Sequence, residues 1–303
     1  RGRSMTGLSA LVKRNTKLYF KDKGMFFTSL ITPIILLVLY ATFLRSVYID
    51  SFRSALDAAG AALPERLVNG CVGGQLVSSL LAVSCVTVAF CSNLLMIKDK
   101  TSGARHDLTI TPVKPGVLAM GYYLSTLLST LIVNLAAAAV CLVYLELTGG
   151  ALTAGDVAAL LLDVLLLTTF GTALSSCVNF SLTSDGQASA VGTIVSAGYG
   201  FLCGAFMPIS SFSPGLQKAI SLLPGTYGTS LLRNHAMAGA FREMARLGLP
   251  AQALDAFRDG VDCNLYFFGS RVSIGTMYLV LTRSIVLLVG LYILLNRLAR
   301  KKR

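Results

Sequence analysis

Six long apolar runs, nearly free of charge, divide this chain: 25–44, 69–97, 117–145, 157–180, 188–207 and 276–295. A helix rises about 1.5 Å per residue and the hydrocarbon layer is about 30 Å thick, so about 20 apolar residues cross it. Every run reaches that length. The pattern predicts an all-α integral membrane protein with six transmembrane helices. Ahead of them, Leu8, Leu11, Val12 and Tyr19 share one helical face, and Lys13, Arg14, Lys17 and Lys21 fill the rest. That is an amphipathic helix suited to the inner leaflet. After the fifth run, 215–223 and 226–240 are moderately apolar and too short to span. Bracketed by Pro208, Pro214, Pro224 and Pro250, they predict re-entrant or interfacial helices on the outer side, followed by a polar excursion at 241–275.

The resulting organisation is a cytoplasmic N-terminal helix (1–24), a membrane domain (25–296) and a basic tail (297–303). The membrane domain holds an inner loop at 98–116 and an outer segment at 208–275. The second run carries Gly70, Gly73, Gly74, Gln75, Ser78, Ser79, Ser84, Thr87, Ser92 and Asn93. Small and hydroxyl side chains let helices approach closely in lipid, so this span is expected to face protein or a water-filled path. The short turn Ser184-Asp185-Gly186 makes spans four and five expected antiparallel neighbours.

Composition agrees: 54% of the residues are hydrophobic and 13% charged, too few charges to cover a soluble core of this size. The net charge of +12 raises nucleic acid as a partner, but its distribution argues against that. Of the 26 Lys and Arg, only Arg283 lies inside a predicted span. Sixteen of the others lie in 1–24, 98–116 and the end of the chain, which fall on one side if the spans alternate; the other side has three in 45–68 and six in the long segment 208–275, to which the rule gives little weight. The positive-inside rule then places both termini in the cytoplasm of a cell whose plasma membrane holds the chain, and basic flanks also bind anionic lipid. The first run is too long for a cleaved signal peptide and lacks an Ala-x-Ala-like end.

Catalytic motifs are missing: no Gly-x-Ser-x-Gly, His-Glu-x-x-His or Cys-x-x-Cys occurs. The two histidines, His106 and His235, fall on opposite sides of the predicted membrane and read as ordinary surface residues. No Gly-x-x-x-x-Gly-Lys-[Ser/Thr] loop is present to hold nucleotide phosphates. Most of the seven cysteines sit in spans as small apolar residues. The topology leaves open a disulfide from Cys263 to Cys71 or Cys203. Asp163 and Arg283 share a depth of roughly 10 Å by the helical rise, which predicts an ion pair between spans four and six. The alternative is that Arg283 snorkels alone.

The inner loop reads Lys98-Asp99-Lys100-Thr101-Ser102-Gly103-Ala104-Arg105-His106-Asp107-Leu108-Thr109-Ile110-Thr111-Pro112-Val113. After span five come Gly204-Ala205-Phe206-Met207-Pro208, Pro214, Pro224, Tyr227 and Arg233. With the basic helix before span one, the chain resembles, over nearly its whole length, the ABC-2 type (type V) permease subunits of ATP-binding-cassette exporters. The loop is similar to the family's charged cluster, Gly, acidic residue, Leu and Thr-Pro-Val. His106 stands where the family usually has Glu, and the 241–275 excursion is longer than the family leads one to expect.

The resemblance implies a homo- or heterodimer of permeases above two ATP-binding subunits. ATP and Mg would bind those subunits, with no cofactor or metal in this chain. The 98–116 loop would be the coupling helix, with Lys98, Lys100, Gly103, Arg105, His106, Asp107, Leu108 and Pro112 meeting the ATPase. Charge at one end, and Leu108 with Ile110 at the other, suit such docking. A path between permeases would carry Tyr40 and Phe43 from span one, Gln75, Ser78 and Ser79 from span two, and Tyr199 and Phe206 from span five. Helix packing is the competing role for each. Gly204, Pro208, Pro214, Pro224 and Tyr227 would form the outer gate. The expected activity is export of a hydrophobic or amphipathic, drug- or antibiotic-like molecule, with a lipid-linked glycan or a peptide as alternatives. An ion-coupled secondary transporter would call for more intramembrane acids and an internal repeat. A scaffold or sensor without cargo is a third class.

Overall fold

The computed structural model describes residues 2–58, 64–111 and 113–301. Arg1, residues 59–63, Pro112 of the expected coupling loop, Lys302 and Arg303 lie outside the described residues. Five helices are long and apolar enough to cross a bilayer: Lys23–Asp50, Glu65–Thr101, Pro115–Thr148, Ala154–Phe180 and Ile274–Ala299.

In chain order the elements begin with α1 (Gly2–Lys21), α2 (Lys23–Leu39), a π-helical turn (Tyr40–Leu44) and α3 (Arg45–Ala58). The long helices α4 (Glu65–Thr101), α6 (Pro115–Thr148) and α7 (Ala154–Phe180) follow, with the short α5 (Ala104–Ile110) between the first two. Then come α8 (Asp185–Leu202), α9 (Pro214–Ser221), α10 (Pro224–Ala236), α11 (Ala238–Arg246) and α12 (Ala251–Gly260). An antiparallel hairpin, β1 (Leu265–Phe267) and β2 (Ser270–Val272), leads into α13 (Ile274–Lys301). The basic tail is therefore a continuation of the last helix through Lys301.

Local chemistry sets the boundaries. Proline opens α6, α9 and α10, where its missing N–H leaves no bond unmade. Asp22 caps α2 through the Met25 N–H at 3.0 Å. Thr153 and Asp156 form a reciprocal capping box on α7. Gly149 ends α6 at φ +99°, a conformation open to glycine.

The core is α4. Of its most apolar window 89% is buried, against 29% for the first span and 11% for α13. The expectation that span two faces protein holds: α2, α6, α7, α8 and α10 all pack around α4. Amides and hydroxyls join the layers. Ser84 donates to Asn134 Oδ1 at 2.6 Å, Asn134 Nδ2 donates to Thr168 Oγ1 at 3.1 Å, and Asn93 Nδ2 reaches Ser176 Oγ at 2.8 Å. Such bonds replace the hydrophobic drive that lipid removes.

Three expectations change. The expected fifth span, α8, has 18 residues, but its polar first turn and its glycines and serines keep it below the apolarity of the other five. It packs on α4 rather than lying along α7, so a short connecting turn did not make those two helices neighbours. And α1 is more than a leaflet helix. Leu11, Asn15 and Tyr19, one turn apart, are buried as α1 packs on α6, and Lys13, Lys17 and Lys21 stay outward.

A Cβ added at Gly171 would meet the Cys85 carbonyl oxygen at 2.6 Å, so Gly171→Ala forces α7 off α4. The expected cost is about 1–3 kcal/mol, read as a lower melting temperature in detergent. Gly290→Ala, with open space around it, should stay within about 0.5 kcal/mol.

Candidate functional site

Three regions gather the residues singled out by sequence. The first is the C-terminal end of α4. Lys98 Nζ reaches Asp22 Oδ2 at 2.6 Å, and this bond with the Met25 N–H holds the Asp22 carboxyl below the usual range. Asp99 Oδ2 accepts from Arg14 Nη1 at 2.8 Å and from the Tyr122 hydroxyl at 2.7 Å. Lys100 Nζ donates to the carbonyls of Phe180 at 2.7 Å and Leu182 at 2.9 Å, satisfying the end of α7 with a cation. Lys98 and Lys100 therefore tie α4 to α2 and α7, with the Lys98 side chain still 49% exposed.

Beyond them the chain turns at Gly103, φ +82°, where a side chain would be strained. Helix α5 then presents its faces in a way the sequence did not reveal. Arg105 and Leu108 are half-buried, and Leu108 packs on the cluster of Leu11, Met96, Leu118 and Tyr122. His106, Asp107 and Thr109 are exposed, and Ile110 is 71% exposed. Of the two expected apolar anchors, Leu108 faces inward and Ile110 outward.

The second region is an apolar groove of about 970 Å³ between α2 and α8, floored by α4. Ile31, Ile35, Phe43, Leu94, Phe201 and Phe206 line it, with Lys98 and Asp185 among the polar residues. Of the expected path residues, Phe43 and Phe206 lie here. Tyr40 is buried in the cluster around Cys71 and Val72. Ser78 donates to the Gln75 carbonyl at 3.0 Å, and Ser79 accepts from Arg233 at 3.4 Å. Gln75 lines a separate cavity of about 400 Å³ beside Tyr48, Phe52 and Phe257, and its amide has no partner among the described residues. Tyr199 borders a cleft of about 520 Å³ between α8, α7 and α13, and its buried hydroxyl is also without a partner there.

The third region is a node on α10. Arg233, 1% exposed, reaches Asp262 Oδ2 at 3.0 Å. It also donates to the Gly204 carbonyl and to Ser79. Asp262 accepts the Ile209 N–H at 2.8 Å. One guanidinium thus joins α10, α4, the turn at Gly204 (φ +73°) and the 261–264 loop. The gate prolines shape the same region: Pro208 precedes the 209–211 turn, and Pro214 and Pro224 start α9 and α10. Tyr227 donates to the Ser221 carbonyl at 2.6 Å.

Two residues along α10, His235 Nδ1 lies 2.5 Å from Asp163 Oδ2, and the Tyr278 hydroxyl donates to Asp163 Oδ1 at 2.6 Å. The expected Asp163–Arg283 pair does not form. Helix α10 folds back between α7 and α13 and reaches the carboxylate first, leaving Arg283 on the exposed face of α13 with no ion pair among the described residues. His235 is correspondingly no ordinary surface residue. Burial works against its charged form, but the hydrogen bond and charge of Asp163 outweigh it and raise the imidazolium pKa above 6.5. Arg242 completes the attachments with a two-pronged bond to Asp156 at 2.6 and 3.1 Å.

Sequence reasoning missed Asp262, His235 and Asp156 as partners. The Thr153-x-x-Asp156 capping pattern was a readable signal for the last; the other two had none. The seven cysteines are free, with Cys71 and Cys263 in one buried cluster and Cys203 in another.

Two outcomes test this arrangement. Arg233→Gln leaves Asp262 buried and unpaired, with an expected loss of about 3–5 kcal/mol in thermal or denaturant unfolding. The His235–Asp163 contribution should depend on pH. It is complete below the unfolded histidine value of about 6.5 and disappears as pH rises through the raised folded value. The melting difference between wild type and His235→Phe should shrink accordingly from pH 6 upward.

The chain matches the sequence profile of the family described as ABC-2 type transporter over residues 6–236, and it belongs to that family. No curated protein matches it. The match ends at the last residue of α10, so α11, α12, the hairpin and α13 lie beyond the matched stretch.

Proposed function

We propose that this ABC-2 type chain is the membrane permease of an ATP-driven exporter, powered by a separate ATP-binding subunit docked beneath α5. The observation that carries the reading is the two-faced α5. Leu108 grips α1, α4 and α6, while Ile110, His106 and Asp107 project away from the fold. A lever needs one side rigidly held and the other free to be pushed. Leu108 ties α5 to Met96 on α4, and Asp99 and Lys100 clamp that end of α4 to its neighbours, so a push on α5 would move α4 as a unit.

The α2–α4–α8 groove supports the rest of the reading. In this proposal α8 is a sixth, less apolar span, and α9 and α10 dip into the outer leaflet. At 8 and 13 residues these two are about 12 and 20 Å long, too short to cross. A second permease would close the groove into a path. Its aliphatic and aromatic walls suit a hydrophobic or amphipathic cargo moving outward from the plasma membrane's inner side. Drug-like cargo leads, with lipid-linked glycan or peptide next. Both termini would be cytoplasmic, where the exposed lysines of α1 meet anionic lipid. ATP and Mg belong to the partner subunit.

Co-purification with a co-expressed ATP-binding subunit tests the reading. Ile110→Asp should weaken assembly about tenfold or more and leave the melting temperature of the isolated chain unchanged. Leu108→Asp should lower that melting temperature as well. Assembly and ATP-dependent transport that survive Ile110→Asp would refute the docking role. Transport driven by a proton gradient without ATP would instead favour an ion-coupled reading built on Asp163 and His235.

A further inference from the structure

Outside the matched family stretch, α11, α12, the β-hairpin and the start of α13 enclose a cavity of about 830 Å³. Its charged lining is unusual for a surface beside lipid. Arg242, Arg258 and Arg271 border it, with His235 and Asp255. Two of the arginines have acidic partners: Arg242 holds Asp156 at 2.6 Å, and Arg271 reaches Asp255 at 3.5 Å. Arg258 has none. Its guanidinium lies 5.1 Å from the centre of the Phe241 ring, and its Nε is buried without a hydrogen bond among the described residues. A desolvated guanidinium donor with no acceptor is costly. His235 and Asp163 neutralise each other. The cavity therefore keeps an unmatched positive charge.

Its position narrows what could supply the missing anion. Ile274 and Met277, in the first turn of α13, line it, and Arg242 is bonded to the first turn of α7. Those helices have 28 and 27 residues, about 40 Å each, and exceed a hydrocarbon layer of about 30 Å. Their first turns stand in the headgroup layer. They do so on the face opposite α1, since α4 runs from the Arg14–Asp99 clamp at one end to the α11 contacts at the other. The Arg242 and Arg271 side chains are 40% and 48% exposed, so their guanidiniums are reachable from that layer. The wall between them is apolar, with Leu254, Ile274 and Met277.

We propose that this cavity binds the phosphate of an anionic lipid headgroup in the outer leaflet. Arg258 is the principal donor, and Arg242 and Arg271 stand at the rim. A guanidinium fork matches phosphate oxygens two at a time, and the apolar wall accommodates the start of the acyl chains. A free phosphate ion shares the first chemistry but not the second. The site is independent of what the exporter carries. Its occupancy would stabilise the outer cap, because the same arginines hold α11 and the hairpin to α7 and α12.

The test uses the full chain in nanodiscs of equimolar phosphatidylglycerol and phosphatidylcholine, extracted gently and read by native mass spectrometry. Wild type should retain phosphatidylglycerol selectively. Arg258→Gln should lose about tenfold of that retention, and Arg258→Lys, which keeps the charge without the fork, should fall between. Equal retention of the two lipids by wild type overturns the proposal, and needs no variant to fold. So does unchanged retention in Arg258→Gln. Thermal stabilisation by inorganic phosphate matching that by phosphatidylglycerol would overturn the lipid assignment.

Discussion

A single buried arginine organises the half of this molecule away from α1. Arg233 sits on a 13-residue helix that could not stand alone in lipid or water. Its guanidinium meets a carboxylate from the 261–264 loop, a carbonyl from the turn after α8 and a hydroxyl on α4. Burying a charge is unfavourable unless it is matched and its donors are used. Here the matching groups come from three other chain segments, with only Nε left without a hydrogen bond among the described residues. The charge therefore fixes where those segments must be, and the prolines at 208, 214 and 224 let the chain bend sharply enough to bring them there.

The half beside α1 obeys the same rule with different residues. The end of α4 carries Lys98, Asp99 and Lys100, and each is bonded to a different neighbouring helix. Between these two ends, α4 is packed with small residues and hydroxyls that bond to α6 and α7. The result is one stiff rod gripped at both ends. Helix α5 hangs from its C-terminal end and the Gly204 turn rests against its middle, near Ser79 and Val83. Movement at one can reach the other without any element bending.

Much of this was legible in the chain. The apolar runs marked the long helices, and the glycines and serines of 70–93 marked α4 as the one that faces protein. What could not be read was the direction in which short helices face. Leu108 and Ile110 lie two residues apart on α5, about 200° around a helix. Only the packing of α1 beneath α6 decides which of them is covered. Asp163 was rightly seen as a charge in need of a partner. Its partner lies 72 residues away on α10, in a stretch without clean periodicity, so depth matching pointed to Arg283 instead. Asp262 escaped notice because its role depends on a loop turned at φ +55°. That Lys98 and Lys100 also bond to neighbouring helices escaped notice because a sequence records charge but not its partners.

Hydrogen exchange on the assembled complex, with and without ATP, addresses the central claim directly. If α5 is the lever and α4 the rod, nucleotide should slow exchange across 104–110 and alter it at 204–211, with the middle of α4 unchanged. Identical exchange in both states, or nucleotide hydrolysis by this chain without its partner, would contradict the account.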